Sequence, residues 1–295
     1  MSRSRSRSLV LSSALVLAAA CSEGGIDADA SRHAECRADP ERALVVQAFA
    51  PCPGRGTPDA PFCRMASALA LIKSDTCPAP WVIDAQGSFP ETLEFNYDLR
   101  DTGPPREPPA VNVTIKGGTF GGTFGGGDAW AIPGTIVRVG ANVTLTLDTV
   151  RLTNSAERGV DCFWSTKPSS VVRLRHVLID RVRNAVVTSR DCGLDAEDLT
   201  VDTAFGGGVQ VAGEYRIVNT EIRYSAAYGA LLQFDNGARG TVDGVKFRHN
   251  VTRHSLIDCS QLPRELHRLD VIHRAPLFAD ETTCKVVDST LETIP

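Results

Sequence analysis

The stretch VTLTLDTVRLTNSAERGV, residues 143–160, holds two runs in which apolar and polar residues alternate, parted by Asp148 and Thr149. Alternation with period two marks a strand that buries one face. Looser copies follow. Aligned on the apolar residue that closes each VxL-like unit, Leu152, Ile179, Val201, Ile222 and Phe247 become equivalent, at intervals of 21 to 27 residues. Strand-helix-strand units need about 30 residues, so this repeat is too short for them. A second apolar run follows each unit (GVDCF, NAVVTS, GGVQV, YGALLQF, SLIDC) and a third precedes it (VTLTL, SVVRL, EYRIV, RGTV), with GLDAED the poor copy. Three short strands per repeat, separated by Gly, Asn and Asp, make one triangular coil of a solenoid.

Successive coils of a solenoid pair as parallel strands about 4.8 Å apart, so each residue sits above its counterpart one coil earlier. Inward positions then form columns. Val150, Val177 and Leu199 make one, and the five aligned residues make another. Any aliphatic of fair size satisfies a column, which explains why the repeats match only loosely. Outward positions become readable in the same way. One residue after the aligned set stand Thr153, Asp180, Asp202, Arg223 and Arg248, and next to these Asn154, Arg181, Thr203, Tyr224 and His249.

The pattern resembles the right-handed parallel β-helix, the pectate-lyase-like fold, over residues 81–274. The entry sequence is similar to that of exported β-helix proteins: a helix in CRMASALALIK with Met65, Leu69 and Ile72 on one face, then WVIDAQGSFPETLEF, then VNVTIKGG. APLFAD, Ala275 to Asp280, resembles the short stop that closes such repeats. The resemblance implies an all-β solenoid of about six to seven turns, with residues 43–80 a cysteine-rich cap at the first end and 275–295 a tail over the other. It is nearly silent on activity, because the repeats keep only what stacking requires.

Ahead of the solenoid, MSRSRSRSLVLSSALVLAAA places three arginines before an apolar run too short to span a bilayer, the layout of a secretory signal in residues 1–20. Ala18-Ala19-Ala20 followed by Cys21 resembles the lipobox of bacterial lipoproteins, although Ala18 stands where that family usually has Leu. The resemblance implies an acylated Cys21. Several acyl chains anchor stably, since each buried methylene adds about 0.8 kcal/mol. Ser22 after the cysteine is similar to lipoproteins sent to an outer membrane. Residues 21–42, rich in Gly, Ala, Asp and Ser, read as a tether.

Without the signal, 28 basic residues face 35 acidic ones. Such a surface offers no basic patch to displace counterions from nucleic acid, so that partner is excluded. The partners expected are the membrane, through the anchor, and a polysaccharide; the chain itself is expected to be a monomer. Apart from Cys21, eight cysteines remain, an even number in an exported chain, which reads as disulfides. Cys162 and Cys192 fall on adjacent coils and are paired by default, Cys259 with Cys284 ties the tail, and the connectivity of Cys36, Cys52, Cys63 and Cys77 stays open. No CxxC, HxH or HExxH spacing supports a metal site, and His176, His249, His254, His267 and His273 are scattered. The glycine run 118–127 lacks the GK[ST] of a phosphate loop, and turn glycines explain it. Asn112, Asn142 and Asn250 open N-V-T sequons that read as turn residues.

Asp180 and Asp202 are the carboxylate pair the alignment places on neighbouring coils, flanked by Arg223 and Arg248. The pair loosely resembles polysaccharide lyases of this fold. That likeness implies Asp180 and Asp202 as calcium ligands and Arg223 or Arg248 as the base. A separation of about 5 Å is also the one retaining glycosidases use. Against both, charged residues are ordinary on a solvated solenoid face, and surface pairs contribute about 0 to 1 kcal/mol each. The NxD, DD, GHG and RxK clusters of polygalacturonases are missing. Trp130, Trp164 and Tyr228 are candidates for stacking on sugars, with packing their commoner use. The reading that emerges is an acyl-anchored envelope protein that binds an extended ligand such as a polysaccharide without catalysis. Its rival is a carbohydrate-active enzyme, lyase before hydrolase, with calcium entering only there.

Overall fold

Residues that alternate apolar and polar every second position, coil after coil, stack in register. The computed structural model describes residues 42–75, 80–96, 110–121, 134–162, 169–235, 237–259, 264–273, 277–278 and 284–293. Among these, one sheet contains ten parallel strands in strict chain order. It runs from Arg42–Gln47 through Trp81–Gln86, Val111–Lys116, Val143–Asp148, Ser170–Arg175, Cys192–Glu197, Glu214–Val218, Arg239–Asp243 and Arg264–His267 to Cys284–Val287. This is the first face. A fourteen-stranded parallel sheet supplies the other two. Its long strands, Arg151–Cys162, Leu178–Thr188 and Thr200–Val211, begin on the second face and bend onto the third, with a register shift between Val182 and Asn184. The chain is a parallel β-solenoid.

The columns are those the repeat implies. Phe120, Leu152, Ile179, Val201, Ile222, Phe247 and Val271 are register partners in succession, and all are fully buried. Val150, Val177 and Leu199 are buried beside them. Each coil turns from the first face to the second through one residue of left-handed backbone, φ 57° at Thr149, 52° at His176, 54° at Asp198 and 50° at Asn219. Asn and Asp tolerate that conformation, while Thr and His adopt it at about 1 kcal/mol or more, so stacking overrides local preference. Gly244 takes the same corner at φ 72°, where a Cβ would meet Asn219 Oδ1 at 2.8 Å. A second left-handed corner follows at Asn154, Arg181, Thr203, Tyr224 and His249, φ 48° to 59°.

Inside that second corner a short polar ladder satisfies backbone groups that stacking leaves bare. Asn250 donates from Nδ2 to the carbonyl of Ile222 (2.7 Å) and accepts at Oδ1 from the Ser225 N–H (3.0 Å). The Ser225 hydroxyl donates to the carbonyl of Arg223 (2.9 Å) and accepts from the Ala204 N–H (3.0 Å). Asn250 is only 4% exposed, so this sequon is a structural asparagine.

The solenoid extends beyond residues 81–274 in both directions. Arg42–Gln47, expected in the cap segment, pairs in parallel with Trp81–Gln86 and belongs to the first face. An insertion holding the Cys52–Cys63 disulfide and the helix Met65–Ser74 separates these strands, which hid the repeat interval. That insertion also hydrogen-bonds the free edge of Arg42–Gln47, through Val45 N–H to Gly56 O (2.8 Å) and Phe62 N–H to Val45 O (2.9 Å). The helix packs against the same strand and buries Met65, Leu69 and Ile72, the expected face. At the other end, the expected tail supplies further strands instead: Leu266 pairs with Val286 and Val271 with Leu291. The first sheet therefore has ten strands where six or seven turns were expected.

Cys162 is bonded to Cys192 and Cys259 to Cys284, joining segments 30 and 25 residues apart in sequence. Loops of this length constrain the unfolded chain by about 3 to 4 kcal/mol each. Cys21, Cys36 and Cys77 lie outside the described residues, as do the signal, most of the tether, Trp130 and Trp164. Among the described residues no helix is long and apolar enough to cross a membrane.

Candidate functional site on the second face

Thr153, Asp180, Asp202, Arg223 and Arg248 stand on consecutive coils as register partners, pointing away from the core on the second face. The sequence alignment placed them correctly relative to one another. Their side-chain partners decide what they can do. Asp180 is buried and accepts from Arg151 Nε (3.1 Å) and Nη2 (2.8 Å) and from Arg181 Nε (3.0 Å). Asp202 accepts from Arg223 Nε (2.9 Å) and from the Thr203 hydroxyl (2.6 Å). Arg248 is paired with Asp270 and donates from Nη1 to the carbonyls of Asp270 (2.9 Å) and Phe247 (3.0 Å).

These pairs set the protonation states. Burial pushes the Asp180 carboxyl up, but hydrogen bonds from Arg151 and Arg181 together outweigh it and hold the group below the usual carboxylate range. The hydrogen bond to Asp202 holds the Arg223 guanidinium above its ordinary value. A general base must accept a proton near the working pH, and a guanidinium clamped by a carboxylate does the opposite. A calcium ion at Asp180 and Asp202 would compete with arginines already bound to those carboxylates. Among the described residues, no three of His, Cys, Asp and Glu gather as metal ligands.

Arg151 is the residue sequence reasoning missed. It lies two positions before Thr153 and thus also points outward, one coil below Asp180, so a diagonal contact was readable from the alignment. Aromatic side chains flank the ladder. Tyr224, at the second corner, is 57% exposed and stacks on His249 of the next coil, ring centroids 5.2 Å apart. Phe205, two residues past the same corner one coil earlier, is 46% exposed. Tyr228, singled out from sequence, is 67% exposed with the Arg253 guanidinium 4.6 Å from its ring centroid. Phe205, Tyr224 and Tyr228 are thus three exposed aromatic residues at or shortly past the second corner on two successive coils. The repeat places Tyr224 and His249 among the outward positions and Tyr228 stands out as an aromatic, but Phe205 escapes because its place past the corner has no counterpart in the aligned pattern.

The fold thus defines the class, a parallel β-solenoid with an ion-paired face and exposed aromatic rings. No protein-family model matches the chain, and no curated protein matches it. Among solved structures it is similar to a GH136 lacto-N-biosidase from Eubacterium ramulus, in both its native and its selenomethionine crystals. The match has a TM-score of 0.36 and 10% identity, covering 86% of this chain and 68% of the other. At that level nothing about activity passes from one chain to the other.

Proposed function

We propose that this protein is an acyl-anchored solenoid of a bacterial envelope that binds an extended glycan along its second face without chemically altering it. The single observation that carries the reading is the exposure of three aromatic rings, Phe205, Tyr224 and Tyr228, on the coils that also carry a ladder whose charges are paired with one another. Exposed aromatic rings supply flat apolar surfaces for the faces of sugar rings, and adjacent hydrogen-bonding groups fix orientation. A straight stack about 4.8 Å per coil suits a polymer better than a compact ligand.

In this reading Cys21 carries the acyl chains, residues 21–42 form the tether, and the outer membrane holds the anchor. The helix Met65–Ser74 closes the first end of the core, a role supported by its buried face and by its packing on the first strand. The test is glycan-array binding by the soluble Ser22 to Pro295 chain. Tyr224→Ala with Tyr228→Ala is expected to lower affinity at least tenfold, since base or sugar stacking on one ring is worth about 1 kcal/mol or more. Unchanged binding in the double variant contradicts the reading.

One observation favours hydrolysis as the second reading. Asp161, on the third face, is buried with Oδ1 unpartnered among the described residues, and burial raises its carboxyl above the ordinary range despite the Arg158 ion pair (2.8 Å). A carboxyl whose affinity for its proton is raised by burial is the kind of group a general acid draws on. Sugar release from the glycans that bind, abolished by Asp161→Asn, would favour this second reading.

A further inference from the structure

The second face carries a recess at its first-corner edge, on the coils that precede Phe205 and Tyr224. It is a shallow depression of about 460 Å³, open to solvent on one side. The floor is one outward column: Ser88, Thr119, Arg151 and Leu178 are register partners on four consecutive coils. Thr149 and His176, from the left-handed corner, form the wall.

The chemistry of this recess is that of a hydroxyl-rich, uncharged ligand. Ser88 and Thr119 offer hydroxyls that both donate and accept. Arg151 commits Nε and Nη2 to Asp180, and its Nη1 hydrogens remain for a ligand oxygen. His176 stands between two carboxylates, Nδ1 3.5 Å from Asp148 Oδ1 and Nε2 3.3 Å from Asp198 Oδ2. Leu178 presents an apolar patch in the same column. The charged groups at the recess are therefore already matched: Arg151 to Asp180, which Arg181 also holds, and His176 to Asp148 and Asp198. A uronate or sulfate group would have to compete with Asp180 for Arg151 and with Asp148 and Asp198 for His176, the two basic side chains that line the recess. A neutral pyranose instead brings hydroxyls for the polar groups and C–H faces for Leu178.

We infer that this recess is a subsite for a neutral sugar residue of the bound glycan, and that it makes the protein prefer neutral over acidic polysaccharide. The inference rests on the glycan-binding reading, extends it to ligand class, and differs from the uronate substrate that the fold resemblance implies.

The test is isothermal titration of the Ser22 to Pro295 chain with neutral hexose oligosaccharides and with uronate oligosaccharides of equal length, alongside Ser88→Trp, Thr119→Val and the Tyr224→Ala, Tyr228→Ala double variant. Ser88 is exposed, so Ser88→Trp fills the recess from outside and should leave the melting temperature unchanged. The neutral oligosaccharide should bind at least tenfold tighter than the uronate. Ser88→Trp should cost at least tenfold in Kd, and Thr119→Val about tenfold, the loss of one hydrogen bond. Uronate binding as tight as neutral overturns the inference, as does wild-type affinity in both recess variants. If the double tyrosine variant still weakens binding in either case, the glycan-binding reading stands without it. Failure of the wild-type chain to bind any oligosaccharide removes both.

Discussion

Arg151 reaches across one coil to clamp Asp180 with Nε at 3.1 Å and Nη2 at 2.8 Å, so that a carboxylate with 9% side-chain exposure keeps its charge. The contact ties the strand Arg151–Cys162 to Leu178–Thr188 on the outside of the wall, opposite the Leu152 and Ile179 column within it. Arg151→Met should therefore destabilise the domain by about 1 to 3 kcal/mol, the range for a hydrogen-bonded ion whose partner is left buried. The low end applies because Arg151 is partly exposed and Arg181 still holds Asp180. Urea unfolding measures it; no shift in midpoint would mean solvent screens the pair completely.

The carboxylates predict opposite pH dependences. Asp180 and Asp195 are held below their ordinary value of 3.8. For Asp195 burial pushes up, and hydrogen bonds from Arg175 and Arg216 prevail. Each binds fewer protons folded than unfolded, so the stability they add is present above 3.8 and is lost as pH falls through the folded value. Asp161, raised by burial, contributes stability that is full below 3.8 and lost as pH rises through its folded value. Thermal melts across pH should show Asp180→Asn flattening the acid limb and Asp161→Asn flattening the fall above it.

Asn250 serves two coils at once, through the Ile222 carbonyl and the Ser225 N–H. Asn250→Ala leaves both groups buried without a partner and should cost about 2 to 4 kcal/mol, as two unsatisfied groups do. Ile179→Ala, in the fully buried column between Leu152 and Val201, should cost about 2 to 5 kcal/mol through the cavity it opens. Denaturant titration distinguishes these from a surface change, which stays within about 0.5 kcal/mol.

Replacing Cys162 and Cys192 together by serine should lower stability by about 3 kcal/mol while preserving the strand signal in circular dichroism. The anchor is tested separately. Cys21→Ala should move the protein from the membrane fraction to the soluble fraction, and an unchanged distribution contradicts acylation.

The solenoid was legible because stacking converts sequence interval into vertical neighbourhood. Ile179 had to lie above Leu152, and Asp202 above Asp180, once Leu152, Ile179 and Val201 were recognised as equivalent. The strand Arg42–Gln47 was not legible, since the disulfide loop and helix that follow it break the interval that identified the others. The strands Cys284–Val287 and Thr290–Thr293 escaped because their aliphatic residues, Val286, Val287 and Leu291, are few and do not repeat the alternation of the earlier coils. Positions in the ladder could be read, but the choice of partner could not. Whether Asp180 binds Arg151, Arg181 or a cation depends on side-chain reach across the wall, which the repeat does not encode. The exposure of Phe205 and Tyr224 depends likewise on the left-handed corner that turns them outward.

Hydrogen exchange of the soluble domain, with and without a bound oligosaccharide, tests the central claim most directly. Protection confined to the second-face segments 88–89, 119–121, 151–155, 178–182, 200–205, 221–228 and 246–252, with the ligand recovered intact, is the result expected of a glycan lying along the second face. Protection on the first-face strands 192–197 and 214–218 instead, or a shortened ligand, would contradict a non-catalytic binding surface in this position.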